Sequence, residues 1–369
     1  MRTSVLVSLC LLLVASHAAA QLAPELVGRE TMGEPGKNWF IGKSRNGAYI
    51  YDADTGEMHG LLSFSGSTSS FEIDHARKQF YAPESYFSRA VHGERTDIVA
   101  IYDFENLAPI AEIEIPQKIA VLPFRRHVGM LNDGRHFLVF NMSPAQSVTV
   151  VDVEMREFVG EISTPGCAII MPVQERDFLM LCGDGTLQLI QLAEDGTEAN
   201  RERSKKFFDV LDDPYFDRTA PTADGWLILS RTGLAREVTV DGSRVRLGDE
   251  WSIVSDEDKE AGWVPGGGEF VSVHKGTGLT YVLMHQAEKE FTHHDPGTEI
   301  WVLDAGQERL IERIELEVPA YALYVTQTDE PKLLVADEEG GLHVYDAISL
   351  SLDQTIEDPG PGFAYLVGF

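Results

Sequence analysis

Residues 148–152 read VTVVD and residues 158–162 read FVGEI, so two short apolar strands flank a turn that begins at Asp152. Apolar positions that alternate and are bounded by Asp, Gly or Asn are typical of β-hairpins rather than helices. Asp and Gly also tolerate the backbone conformation of a tight turn. The same kind of strand recurs along the chain at residues 48–52, 99–103, 148–152, 187–192, 237–241, 300–304 and 342–346.

The spacing of these seven units predicts the fold. From Asp52 to Asp346 the six steps average about 49 residues, and most units carry a second candidate strand upstream, such as residues 136–140 (HFLVF). A period of this size with several strands per unit is the signature of a β-propeller, in which each blade buries its faces against its neighbours. The sequence therefore predicts an all-β, seven-bladed β-propeller, with residues 21–369 forming a single domain. An array of β-sandwiches would need linkers, and none is evident.

The longest step between units contains an insertion at residues 250–268. Within it, residues 255–262 (SDEDKEAG) predict a short helix that Ser255 caps and Gly262 ends, while Asp258 fits the third position of a capping box only loosely.

The first twenty residues are typical of an export signal. A positive start at Arg2 is followed by an apolar run at residues 5–14 and an Ala-rich cleavage site that ends near Ala20. The run is too short for a membrane anchor, which needs about 20 apolar residues. Residues 1–20 are therefore predicted to be a cleaved signal peptide, and the mature chain is expected to be exported without a membrane anchor.

Two cysteines remain after the signal, Cys167 and Cys182. An exported pair in an oxidising compartment predicts one disulfide, and both flanks are strand-like, so the bridge is expected to join neighbouring strands. Two separate buried thiols are the alternative.

The charge excludes some classes of partner. The chain has 59 Asp and Glu against 30 Lys and Arg, a formal net charge of −29 at pH 7. Nucleic acids and anionic lipids need a basic surface, so neither is an expected partner. A hydrophobic fraction of 43% is ordinary for a globular protein.

The sequence contains no arrangement of residues that predicts catalysis on this chain. A phosphate-binding Gly-rich loop and a Gly-x-Ser-x-Gly elbow are both missing from the sequence. Adjacent His293 and His294 would point to opposite faces of a strand, which makes them a poor shared metal site. No catalytic or metal-ligating residue is therefore predicted.

Several stretches resemble the heavy (large) subunit of methylamine and aromatic amine dehydrogenases. The most specific is residues 87–97, FSRAVHGERTD, which leads into the strand at 99–103. The other matching stretches are residues 140–145 (FNMSPA), 165–167 (PGC), 182–187 (CGDGTL), 261–267 (AGWVPGG) and 300–304 (IWVLD). The resemblance extends from about Gly33 to the C-terminus.

The resemblance implies a seven-bladed propeller that is the non-catalytic subunit of a periplasmic α2β2 enzyme. In that family a small light subunit carries the cofactor tryptophan tryptophylquinone, and the enzyme oxidises a primary amine to an aldehyde and ammonia. The heavy subunit holds the light subunit, lines part of the substrate channel and helps to dock a blue copper electron acceptor. For this chain we expect a blue copper protein or a cytochrome as the acceptor.

The resemblance also indicates a substrate-channel loop at Ser65-Gly66-Ser67. The family can place an aromatic residue on this loop, and Ser67 falls near that position, so a wider channel and amines bulkier than methylamine are expected. Phe64 or Phe71 would narrow the channel if either turned inward. A misaligned loop is the alternative interpretation.

Two other functions remain open at this point. The first is a stand-alone exported propeller that binds a protein or ligand without catalysis. The second is a propeller hydrolase or lactonase, which would need a central metal site that the sequence does not define.

Overall fold

The computed structural model describes residues 31–45, 47–66, 68, 70–117, 119–120, 122–287, 289 and 292–369. The predicted signal peptide at residues 1–20 lies outside the described residues, as does Ser67.

Strands dominate the described residues, as the alternating pattern predicts. Up to residue 203 the strands are β1 (Trp39–Lys43), β2 (Gly47–Asp52), β3 (Met58–Ser63), β4 (Glu72–Asp74), β5 (Gln79–Arg89), β6 (His92–Asp103), β7 (Pro109–Ile115), β8 (Val128–Met130), β9 (His136–Asn141), β10 (Ser147–Asp152), β11 (Glu157–Ser163), β12 (Cys167–Val173), β13 (Asp177–Cys182), β14 (Thr186–Leu192) and β15 (Glu198–Arg203). A 3₁₀ turn, Arg125–His127, precedes β8.

The rest of the chain continues in the same way. Its strands are β16 (Tyr215–Pro221), β17 (Gly225–Ser230), β18 (Leu234–Asp241), β19 (Arg244–Leu247), β20 (Trp251–Ser252), β21 (Trp263–Pro265), β22 (Val271–Val273), β23 (Leu279–Gln286), β24 (Gly297–Asp304), β25 (Arg309–Val325), β26 (Lys332–Asp337), β27 (Leu342–Asp346), β28 (Leu352–Ile356) and β29 (Tyr365–Gly368). The short helix α1 (Asp256–Glu260) lies in the insertion.

The described strands form antiparallel sheets that follow the order of the chain. Four sheets have four strands each, in the orders β29-β1-β2-β3, β4-β5-β6-β7, β8-β9-β10-β11 and β12-β13-β14-β15. A fifth sheet has the order β16-β17-β18-β19, with β20 paired to β18. The remaining strands, from β21 to β28, belong to one eight-stranded sheet.

The prediction of seven separate blades is therefore wrong: the described residues form five blade-sized sheets and one larger sheet. The cause is β25, a single strand of 17 residues. Its first part pairs with β24, as in Ile300↔Ile314, and its last part pairs with β26, as in Leu323↔Val335. Because the strand is continuous, two of the repeat units share one hydrogen-bonded sheet.

All seven repeated segments do form strands, and each is the third strand of its four-strand unit. Six of these strands end at the Asp that the repeat identified, for example β10 at Asp152. The Asp152 carboxylate accepts hydrogen bonds from the backbone N–H groups of Glu154 and Met155, both at 2.9 Å. Asp is used here because its side chain completes the turn that its backbone begins.

The core lies between neighbouring sheets. Buried residues of the first and second sheets form one cluster, which includes Ile41 and Phe80. Similar clusters join each sheet to the next, and Phe40 of β1 packs with Leu334 of β26 in the eight-stranded sheet. The chain closes on itself through β29, which pairs with β1 in the register Ile41↔Val367.

The predicted helix of the insertion is confirmed. Ser255 caps α1 by accepting a hydrogen bond from the Asp258 N–H at 3.1 Å. Gly262 follows the helix with a φ of +83°, a conformation that favours glycine.

The predicted disulfide is confirmed as well. Cys167 on β12 and Cys182 on β13 are direct cross-strand partners, with their Cα atoms 4.0 Å apart, and their sulfur atoms are bonded. The bridge therefore joins neighbouring strands of the fourth sheet.

We expect the double variant Cys167→Ala/Cys182→Ala to lose about 3 kcal/mol of unfolding free energy, because a 15-residue cross-link no longer restricts the unfolded chain. Urea denaturation under non-reducing conditions measures the loss. Wild-type protein in excess reductant serves as the control and should lose a similar amount. A loss below about 1 kcal/mol in both samples would contradict this expectation.

Candidate functional site

The predicted channel loop connects β3 to β4, and hydrophobic residues hold its two ends. Phe64 is 8% exposed and Phe71 is 3% exposed, and their ring centroids lie 5.7 Å apart in the core. Tyr102 meets the Phe64 ring edge-on at 5.6 Å. The two rings thus fix the ends of the loop, and a role for either ring as a channel residue stays a prediction.

A buried carboxylate positions the start of the loop. Glu84 on β5 is fully buried, and its Oε2 accepts hydrogen bonds from the Ser65 N–H at 2.7 Å and the Tyr86 hydroxyl at 2.8 Å. Its Oε1 accepts the Tyr102 hydroxyl at 2.5 Å. Burial, and then the bond to this carboxylate, raises the pKa of both tyrosines. Glu84 therefore links the loop to β5 and β6.

A buried lysine lies close to Phe64, at the start of the loop. Lys43 is fully buried, and its Nζ donates to the Ser44 carbonyl at 2.5 Å and lies 5.3 Å from the centre of the Phe64 ring. Burial lowers the pKa of Lys43 to about 8, and the nearby Glu84 charge opposes that shift. Lys43 and Glu84 are thus two buried side chains near the start of the loop, close enough for the carboxylate to act on the ammonium group.

The loop borders a cavity of about 690 Å³. Gly66 and Thr68 contribute to its wall from the loop, and the Thr68 hydroxyl donates to the Ser65 carbonyl at 3.0 Å. Tyr321, Glu338 and Phe363 lie on other parts of the wall. The volume falls in the range of ordinary small-molecule pockets.

Sequence reasoning identified the loop but missed Glu84 and Lys43. The available signal was a single carboxylate within the apolar start of β5, QFYAPES at residues 79–85. Charged residues are rarely fully buried unless they are paired, so such a residue is a candidate for a special role.

The adjacent histidines, His293 and His294, do not line the cavity beside the loop, and His294 lies next to Arg218. His294 Nδ1 is 3.3 Å from a guanidinium nitrogen of Arg218, and the His293 ring stacks on Phe216 at 5.3 Å. Burial, and the charge of Arg218 after it, lowers the pKa of His294. Within the described part of the chain, no group of three or more His, Cys, Asp or Glu residues could hold a metal ion.

One further feature concerns membranes. Among the described residues, no helix has both the length and the apolar character that crossing a bilayer requires.

The antiparallel sheets, stacked face to face and closed by β29 on β1, define a β-propeller. The family model of the methylamine dehydrogenase heavy chain (MADH) matches residues 40–364. The chain therefore belongs to the methylamine dehydrogenase heavy chain family, as its sequence stretches indicated.

Known proteins support both the family and the fold. The methylamine dehydrogenase heavy chain of Methylophilus methylotrophus is 27% identical over 324 residues, which cover 85% of this chain and 77% of that protein. The heavy chain of Paracoccus versutus is 27% identical over 326 residues and covers 85% and 74%. The β-propeller domain of Cps50 (Swd1) from Myceliophteria thermophila has a TM-score of 0.57 at 11% identity, covering 85% of this chain and 93% of that one. This last likeness concerns the fold alone.

Proposed function

We propose that this chain holds the catalytic light subunit of an amine dehydrogenase that oxidises a primary amine to an aldehyde and ammonia. The family match over residues 40–364 carries the proposal. The cofactor, tryptophan tryptophylquinone, resides on the light subunit, so this chain contributes binding and shape rather than redox chemistry. The complex is an α2β2 heterotetramer of the periplasm, and it passes electrons to a blue copper protein or a cytochrome.

The loop at residues 65–68 lines part of the substrate channel in this proposal. Two observations support it: Gly66 and Thr68 border the cavity of about 690 Å³, and Glu84 fixes the loop at Ser65. Asp337 and Glu338 place two carboxylates on the same wall against one cation, Arg45, and this balance favours a protonated primary amine over an anion. A small residue at position 67, near which the family can place an aromatic side chain, suits amines bulkier than methylamine.

Co-purification tests the role of the chain. The full chain of 369 residues is expressed together with a short, Cys-rich exported chain from a neighbouring gene, and it is purified from the periplasm by a tag on the heavy chain only. The proposal predicts a complex with the visible absorbance of the quinone and with amine-dependent dye reduction. A colourless chain that purifies alone as a monomer would favour the stand-alone propeller instead.

Amine selectivity tests the channel. The wild-type complex should give a kcat/KM for butylamine or phenylethylamine at least equal to that for methylamine. A strong preference for methylamine would contradict the wide channel.

In the same complex, Gly66→Phe should lower kcat/KM for phenylethylamine by at least about tenfold, because the added ring fills the cavity that the loop borders. Methylamine turnover should change much less. Gly66→Ala is the matched control and should leave the ratio of the two substrates unchanged. Equal losses for both substrates in Gly66→Phe would point to a misplaced loop rather than a narrowed channel.

A further inference from the structure

Three basic residues lie on the wall of a second cavity. None of them lines the cavity of about 690 Å³ beside the loop. Arg125, Arg126 and Lys275 border a space of about 110 Å³ between the 3₁₀ turn and the strands β16 and β22. Arg126, Pro221 and Lys275 also border a neighbouring cavity of about 430 Å³, so these residues contribute to the walls of both spaces.

Arg126 is the most buried of the three cations, at 6% exposure. One of its terminal nitrogens donates to the Thr219 carbonyl at 3.3 Å, and its guanidinium lies 4.5 Å from the centre of the Trp226 ring. Its Nε has no hydrogen-bond partner among the described residues. A buried donor without an acceptor costs free energy that a ligand with acceptor oxygens would recover.

The other two cations also lack carboxylate partners. The Arg125 guanidinium lies 5.8 Å from the centre of the Tyr324 ring, and neither Arg125 nor Lys275 forms an ion pair within the described residues. Burial lowers the pKa of Arg126 to about 9, and Arg125 adds to that shift. Burial and then the two arginines lower the pKa of Lys275. The three groups therefore repel one another while Arg126 still carries its charge at neutral pH.

Two carboxylates, Glu72 and Glu269, lie near the arginines. Burial raises the pKa of Glu72 and of Glu269, although the arginines oppose both shifts. Neither carboxylate makes an ion pair of 4.0 Å or less with Arg125 or Arg126 in the described part of the chain. Among the described residues, the wall of the smaller cavity therefore has three basic side chains and no carboxylate, while Glu72 and Asp224 lie on the wall of the larger one, in a chain whose formal net charge is −29.

We propose that this cavity binds a small oxyanion of the phosphate or sulfate class, with Arg125, Arg126 and Lys275 as its ligands. Guanidinium groups present paired N–H donors that match the oxygens of such an anion, and an ammonium group adds a compact charge. The three residues come from segments about 150 positions apart, so the site exists only in the folded chain. The proposal is independent of the light subunit and of the amine.

Isothermal titration of the full purified chain with inorganic phosphate, and separately with sulfate, tests the site. Sodium chloride keeps the ionic strength constant, so that a general salt effect gives no signal. The expected result is saturable binding of one anion per chain. Absence of saturable binding for both anions would overturn the proposal.

Variants locate the binding. Arg125→Gln and Lys275→Met should each weaken the affinity at least about tenfold, since each removes a charged donor. Arg244→Gln and Lys205→Met are the matched controls, because both residues are exposed and neither lines the two cavities. Arg126→Gln should abolish binding if it folds, and the two more accessible variants suffice if it does not. Unchanged affinity in Arg125→Gln and Lys275→Met would show that any bound anion lies elsewhere.

Discussion

Glu84→Ala is expected to lower the unfolding free energy by about 3–5 kcal/mol, because the change removes a fully buried carboxylate that three hydrogen-bond donors share. These donors are the Ser65 N–H and the hydroxyls of Tyr86 and Tyr102. Urea denaturation followed by circular dichroism measures the loss.

Two variants separate this effect from a general effect of removing a carboxylate. Glu112→Ala removes an exposed glutamate from β7 and should change stability by no more than about 0.5 kcal/mol. Glu84→Gln keeps an acceptor oxygen and should cost less than Glu84→Ala. If Glu84→Ala and Glu112→Ala lost the same amount, Glu84 would not be the anchor of the loop.

Tyr365→Ala is the second variant with a large expected effect, a loss of about 3–5 kcal/mol. Tyr365 lies on the closing strand β29 and is 1% exposed. Its ring lies 6.3 Å from that of Phe71, and its hydroxyl is 2.8 Å from the Ser70 hydroxyl. Removing the ring leaves a cavity where the first sheet meets the second. Thermal and urea denaturation of the variant measure the loss.

Tyr365→Phe separates the contribution of the hydroxyl to stability from that of the ring. It keeps the ring and removes only the hydroxyl, so a loss of about 1 kcal/mol is expected. Leu352→Ala, at a position that is 53% exposed, is the surface control and should be nearly neutral. A loss below about 1 kcal/mol in Tyr365→Ala would mean that the closing strand contributes little to the fold.

The repeated strands could be found from sequence because their signals are local. Alternation of apolar residues and a terminal Asp lie within a few positions of one another, and the Asp side chain bonds to the next backbone N–H groups. The cap at Ser255 spans 3 positions and the disulfide between Cys167 and Cys182 spans 15, so both are still local along the chain. These features were predicted and are confirmed.

The number of sheets could not be predicted from local sequence signals. Whether two repeat units share a sheet depends on whether β25 remains extended between its two partners, β24 and β26. That choice is made by pairing with strands on both sides, and the repeat period is the same in either case.

The candidate site also has a part that the sequence indicated and a part that only the structure revealed. The resemblance indicated the loop at residues 65–67, and the structure places Gly66 beside a cavity, while Ser67 lies outside the described residues. The sequence did not indicate that Phe64 and Phe71 belong to the core, because an aromatic residue beside a loop fits either position. Glu84 could not be assigned as the anchor, since two of its partners, Ser65 and Tyr102, lie 19 and 18 positions away on other segments.

The sequence alone thus determined the class of fold, the positions of its repeated strands and turns, the disulfide and the family, because each rests on local spacing or on matched residues. The tertiary structure decided how the repeats group into sheets and which charges are buried together. It alone brought Lys43 near Glu84, and Arg126 near Lys275. Those pairs depend on how neighbouring sheets pack against one another. Contacts between distant segments leave no periodic signal along the chain.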